Sequence, residues 1–176
     1  MLKGAGYTQT MPQTDAIKGP VDRVELTVRA AGPDDLEAII RLDTETSGRA
    51  KPAYWQGIFQ TYVPDQKGER YLLIADVEGV AAGFVVGEVR AWEFGSPPCG
   101  WVFALGVSNA HREHHIGSRL MEEIFNCFRR DGVNSVRTSV SRLDTLNLSF
   151  FRSLGMTAGP YVQLEISIDE DQASGP

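Results

Sequence analysis

The sequence predicts an α/β (α+β) domain, a mixed and mostly antiparallel sheet of about six to seven strands flanked by about four helices. Residues 71–77 (YLLIADV) and 80–91 read as strands around a tight Glu78–Gly79 turn, and 101–107 (WVFALGV) follows as a third, so consecutive antiparallel strands form the body of the sheet. From Ile116 the apolar residues recur as Ile116, Leu120, Met121, Ile124, Phe125 and Phe128, with charged residues elsewhere, the spacing of one buried face on a helix of about four turns. Further amphipathic stretches near 36–43 and 144–154 each follow a β-type run.

Taken in order, residues 1–22 mix Gly, Pro, Gln and Thr without periodicity and read as a flexible leader. The domain spans 23–168, and 169–176 is an acidic tail. Residues 24–30 (VELTVRA) alternate as a first strand. Gly32, Pro33, Asp34 and Asp35 stop it and open a helix whose stripe is Leu36, Ile39, Ile40 and Leu42 or Asp43. A second helix over 53–62 (AYWQGIFQTY) carries Tyr54, Trp55, Ile58, Phe59 and Tyr62, either as a core face or as a substrate wall. Arg129, Arg130 and Gly132 end the long helix. Residues 133–140 read as a strand, 144–154 as a helix capped by Asp144 and closed by Gly155, and 161–168 as the last strand.

At 176 residues, with 42% hydrophobic and 23% charged, the chain suits one globular domain, and no apolar run nears the roughly 18 residues of a membrane span. The N-terminus lacks a signal-peptide core, so a cytoplasmic address is expected. A net charge of −6 argues against nucleic-acid binding, which needs clustered cations. Cys99 and Cys127 have no metal-type spacing and read as two reduced thiols.

Function becomes legible where the strand 101–107 meets the long helix. A helix opening after a tight turn presents N–H groups without intrahelical partners, and their dipoles favour an anion. Arg112 adds a positive fork, and Gly117, lacking a Cβ, lets a diphosphate approach the backbone up to Ser118. The run VSNAHREHHIGS resembles the acyl-CoA pyrophosphate loop of the GNAT superfamily of N-acyltransferases, (Arg/Gln)-x-x-Gly-x-(Gly/Ala). Arg112, Ile116 and Gly117 fit; His115 stands where the first glycine is usual and Glu113 where another is common. A second stretch, DTLNLSFFRSLGM at 144–156, resembles the superfamily's N-x-x-A-x-x-x-Y-x-x-x-G-F, aligned on Gly155. Asp144 replaces the usual Asn, and Phe151 the Tyr that in many members acts as general acid.

The resemblance implies a GNAT-like splayed sheet and acetyl-CoA as co-substrate, its pantetheine entering like a missing strand beside Leu105, Gly106 and Val107. Gly106 would permit a bulge there. The carrier's phosphates would meet Arg112, Glu113, His114, His115, Ile116, Gly117 and Ser118, and the rest of it Asp144, Asn147 and Phe151, Asn147 being either a carrier contact or a surface residue. No metal is expected: the three histidines lie in the phosphate turn without a convincing third ligand, and serve as partly protonated neighbours of a diphosphate or as solvated turn residues.

Attack of an amine on a thioester needs a neutral amine, a polarised carbonyl and a leaving thiolate. Backbone N–H groups around 105–107 supply the second. Phe151 cannot protonate sulfur, so Ser149, Tyr161 or water does, or none is needed, since a thiol of pKa about 8.5 is already a tolerable leaving group. For the base, Glu88 leads, ahead of Glu93, Ser139 and Ser141; its other reading is a solvent-facing strand residue.

The resulting expectation is an N-acetyltransferase that moves an acetyl (acyl) group from acetyl-CoA to a primary amine, on a small molecule or a protein, in a ternary complex. It involves no nucleic acid and no membrane, and a homodimer through the last strand or the aromatic second helix is compatible with the resemblance. The alternative is an acyl-CoA-binding sensor or scaffold of the same fold with catalysis impaired. A third reading replaces CoA by another phosphorylated ligand or by a protein partner.

Overall fold

The computed structural model describes residues 25–64 and 68–168, the side chains of Arg112 and Glu113 excepted. The leader expected at 1–22 and the tail at 169–176 lie outside the described residues. Strand β1 (Leu26–Ala30) leads through a 3-10 turn at Pro33–Asp35 into α1 (Leu36–Ser47). Next come α2 (Pro52–Tyr62), β2 (Arg70–Val77), β3 (Val80–Arg90) and β4 (Cys99–Val107). A 3-10 turn at Asn109–His114 opens α3 (Ile116–Arg130), followed by β5 (Val136–Arg137) and α4 (Thr145–Ser153). The strands lie in sequence order in one sheet, antiparallel except for the parallel β4–β5 pair.

The sheet divides two cores. On one face α3 buries Ile116, Leu120, Met121, Ile124, Cys127 and Phe128 against Tyr71, Leu73, Ala75, Val85 and Val102. On the other, α1 and α2 bury Ile39, Leu42, Trp55, Phe59 and Tyr62 against Leu72, Ile74, Phe84 and Val86. Both faces of β2 and β3 are thus covered, which is why these strands read as near-continuous apolar runs. Helix α3 comes close to the strands because glycine faces it: a Cβ on Gly100 would lie 2.4 Å from Cδ2 of Phe128. The β2–β3 turn holds Glu78 at φ 51° and Gly79 at φ 79°, the left-handed pair that a two-residue hairpin requires. A charged clamp fixes β1: Arg29 donates from Nε to Asp76 (2.6 Å) and from Nη1 to Asp35 (2.6 Å), holding the Asp35 carboxyl below its usual range.

The predicted elements differ from the fold in three places. Among the described residues the sheet has five strands, and residues 161–168, expected as the last strand, are not one of them. The strand expected over 133–140 keeps only Val136–Arg137 in pairing, opposite Gly100 and Trp101. The bulge expected at Gly106 falls elsewhere: Val86 pairs with Ala104 and Gly87 with Val102, so Phe103 is the extra residue. Gly106 serves packing instead, since a Cβ there would stand 2.5 Å from Cε1 of Phe84.

Candidate active site

The Phe103 bulge bends β4 away from its parallel partner. Beyond Trp101 no strand among the described residues pairs with its far edge. Into this splay opens a cavity of about 470 Å³. One wall is β4 from Val102 to Leu105, the facing wall is Thr138, Ser139, Val140 and Ser141, and α4 contributes Asp144, Asn147 and Phe151. The remaining end is built by α1 and α2, with Asp43, Thr46, Ser47, Lys51, Tyr54 and Trp55 around Phe84.

Helix α4 is positioned by its cap. Asp144 Oδ1 accepts from the Asn147 backbone N–H (3.0 Å), and its Oδ2 accepts from the Asn147 side-chain amide (2.7 Å). Phe151 reaches the cavity from one turn further on, an apolar ring without a proton to give. At the α1–α2 end, Asp43 is buried (8% exposed) and accepts from Trp55 Nε1 (2.9 Å) and from Lys51 Nζ (3.2 Å). Burial, followed by the charge of Asp43, pushes the Tyr54 phenol above its ordinary value.

The turn after β4 ends with His115 at φ 55°, a left-handed conformation that glycine adopts freely and that costs other residues about 1 kcal/mol. That is the physical reason for a glycine at this place in the loop pattern. His115, at the N-cap of α3, makes no side-chain capping bond. Ile116 is buried in the α3 core, and His114 and His115 are exposed. The room that Gly117 leaves is taken by Phe150 of α4, whose ring atoms come within 3.2 Å of where a Cβ would be, so this glycine first of all docks α4 on α3. The side chains of Arg112 and Glu113, expected at the phosphates, lie outside what is described.

The structure therefore brings together Leu105, Asp144, Asn147 and Phe151, joined by Ser139 and Ser141. Gly106, Val107 and residues 114–118 are not among the residues that line the cavity. The three residues expected to be catalytic stand apart from it. Glu88 accepts from the Tyr62 hydroxyl (2.6 Å) and from Arg90 Nε (2.9 Å). Burial raises its pKa, but these two bonds and the charges of Arg90 and Arg70 outweigh it and leave the carboxyl below its usual range. Ser149 is exposed on α4 and lines no cavity described. Tyr161 stacks on the Arg137 guanidinium (4.1 Å to the ring centroid) and lines a second cavity of about 530 Å³ behind residues 138–140. Of the α2 aromatics only Tyr54 and Trp55 reach the site; Phe59 and Tyr62 are core.

Asp43, Lys51 and Thr138 were not among the expected site residues. The signal for Asp43 was present: the apolar stripe of α1 runs on to Leu42 or to Asp43, and both are buried.

Residues 36–156 match the family described as acetyltransferase (GNAT) family. No curated protein matches the chain. Among solved structures, the fold is shared with the aminoglycoside N-acetyltransferase AAC(6')-Iy in complex with CoA, at 17% identity and a TM-score of 0.71 over 82% of this chain and 96% of that one. The aminoglycoside acetyltransferase meta-AAC0020, from an uncultured soil metagenomic sample and in complex with sisomicin, aligns at 19% identity and 0.62 over 81% and 95%. Ard1 from Thermoplasma volcanium aligns at 21% identity and 0.62 over 76% and 84%.

Proposed function

Because the chain belongs to the acetyltransferase (GNAT) family, we propose that it transfers an acetyl group from acetyl-CoA to a primary amine by direct attack within a ternary complex. The observation that carries this reading is the cavity in the β4–β5 splay, whose wall is a strand edge with no paired strand among the described residues. An extended pantetheine can add to such an edge as a strand would, its amides meeting backbone groups already in register. CoA and an amine acceptor are named for the AAC(6')-Iy complex with the bisubstrate analog CoA-S-monomethyl-acetylneamine, a chain of the same fold.

The thioester lies against the Val102–Leu105 edge, where N–H groups polarise its carbonyl. The acceptor enters from the α1–α2 end. Its nitrogen bonds to the carbonyl carbon as the C–S bond breaks, and CoA leaves as a thiolate. No tyrosine is needed at Phe151, because a thiol of pKa about 8.5 leaves readily as its anion. The amine's proton passes to water held along Ser139 and Ser141. Glu88 positions Tyr62, whose ring packs edge-on against Phe103 (5.8 Å), and acts on the site through that ring. The start of α3, with Arg112, Gly117 and Ser118, receives the diphosphate. The same reading includes a homodimer through residues 161–168, a segment that exposes Val162, Leu164, Ile166 and Ile168.

The test is calorimetric titration with acetyl-CoA followed by thiol release across a set of amines. Saturable binding with amine-dependent release supports the transferase. Binding without release from any amine favours the sensor or scaffold, and absence of binding removes acyl-CoA altogether. Light scattering coupled to size exclusion reads the dimer.

A further inference from the structure

Asp43 is the ionisable side chain that α1 turns inward, and it is held on both oxygens. Trp55 Nε1 donates to Oδ2 at 2.9 Å, and Lys51 Nζ lies 3.2 Å from Oδ1 and 3.0 Å from Oδ2. The two partners differ in freedom. Trp55 is 1% exposed and packs edge-on against Phe84 at 5.1 Å, so its indole is part of the core. The Lys51 side chain is 37% exposed, sits just before α2, and lays its ammonium over the Tyr54 ring at 5.8 Å. A buried carboxylate requires a cation, because leaving it unpaired is strongly unfavourable. The lysine has no matching need, since its head can return to water.

From this asymmetry we propose that the α1–α2 end of the cavity is a subsite for an alkylammonium group, filled in the free protein by the chain's own Lys51 and vacated when an acceptor's ammonium takes its place on Asp43 and Tyr54. The acceptor class that follows is an amine with a second, protonated amino group. One nitrogen reacts at the thioester while the other replaces Lys51, so Asp43 keeps its counter-charge throughout. A simple monoamine cannot do both. Tyr54 contributes the face of its ring, which attracts cations. The transfer half of this inference rests on the acetyltransferase reading; the exchange of one ammonium for another does not.

The Trp55 indole N–H, bonded to Asp43, reports the subsite without turnover. The full-length protein is titrated with cadaverine or pentylamine while that resonance is followed by NMR, and thiol release from acetyl-CoA is measured in parallel. Each amine brings one ammonium, so both are expected to move the resonance, and cadaverine, with a second nitrogen left to react, is expected to exceed pentylamine about tenfold in kcat/KM. Lys51→Met lowers the midpoint for both amines, because the resident competitor is gone, and Asp43→Asn abolishes the movement and the kinetic preference. A resonance that neither amine moves, or a cadaverine midpoint unchanged in Lys51→Met, overturns the proposal. The second result decides the matter even if Asp43→Asn fails to fold. Movement of the indole without any thiol release supports the subsite while removing the transferase; thiol release with no preference between the amines does the reverse.

Discussion

The two edges of β4 make the sharpest contrast in the molecule. Along one edge it pairs with β3 from Cys99 to Val107, and the layer beneath is so tight that Gly87 and Gly100 admit no Cβ against Phe128. Along the other it holds β5 for two residues and then faces polar groups across open space. One edge is closed by contact between apolar surfaces, and the other is kept open by a bend. The comparison teaches that the opening comes from an extra residue inserted into a well-paired strand, while the sealed edge supplies the rigidity against which that bend is held.

The largest effect is expected from filling the open edge. Ala104→Trp places an indole in the cavity and should weaken acetyl-CoA binding about a hundredfold, or about 3 kcal/mol by calorimetry, with little change in Tm. Retained affinity would mean that the carrier binds elsewhere. Loading the closed edge comes next. Gly100→Ala pushes a methyl group into the Phe128 ring and should cost about 1–3 kcal/mol in urea unfolding at unchanged m-value. Retained stability would show that this edge yields more than its contacts suggest.

A smaller change is expected where β4 hands over to α3. His115→Gly relieves the left-handed backbone there and should raise stability by up to about 1 kcal/mol, partly offset by the freedom glycine gains on unfolding. The smallest concerns Glu88, opposite Trp101 on the closed edge. Its folded pKa lies below the ordinary 4.5, so its contribution is present above that pH and is lost as the pH falls through the lowered value. Glu88→Gln should therefore lower Tm at neutral pH by an amount worth less than about 1 kcal/mol, with the two proteins converging in acid. A difference that grew in acid would contradict the assignment.

Much of this was legible in the residues. Helix α3 declared itself because its apolar positions fall on one face, and the buried set adds only Cys127 and leaves Phe125 at the margin. The Glu78–Gly79 hairpin and the Asp144 cap are local devices, readable without neighbours. What escaped depended on partners. Phe103 gave no sign of being a bulge, since both faces of β4 carry apolar side chains and alternation cannot be seen there. Residues 161–168 alternate as a strand does, but alternation alone does not tell whether a segment joins a ladder. In the site, Leu105, Asp144, Asn147 and Phe151 were legible through family resemblance. Asp43 was ambiguous because a polar group inside an apolar stripe is interpretable only once its donors, Lys51 and Trp55, are seen beside it.

The extra residue has one more effect, on parity. Val102 faces the α3 side, Phe103 and Ala104 both face the α1–α2 side, and Leu105 returns to α3, so the strand is two half-strands one step out of phase. Its first half is timed to bury Val102 beside β5, and its second half to deliver Leu105 and Val107 to the core that α4 also joins. A single inserted position thus lets one continuous backbone obey two different packing rhythms, and the seam between them is the place where the cavity begins.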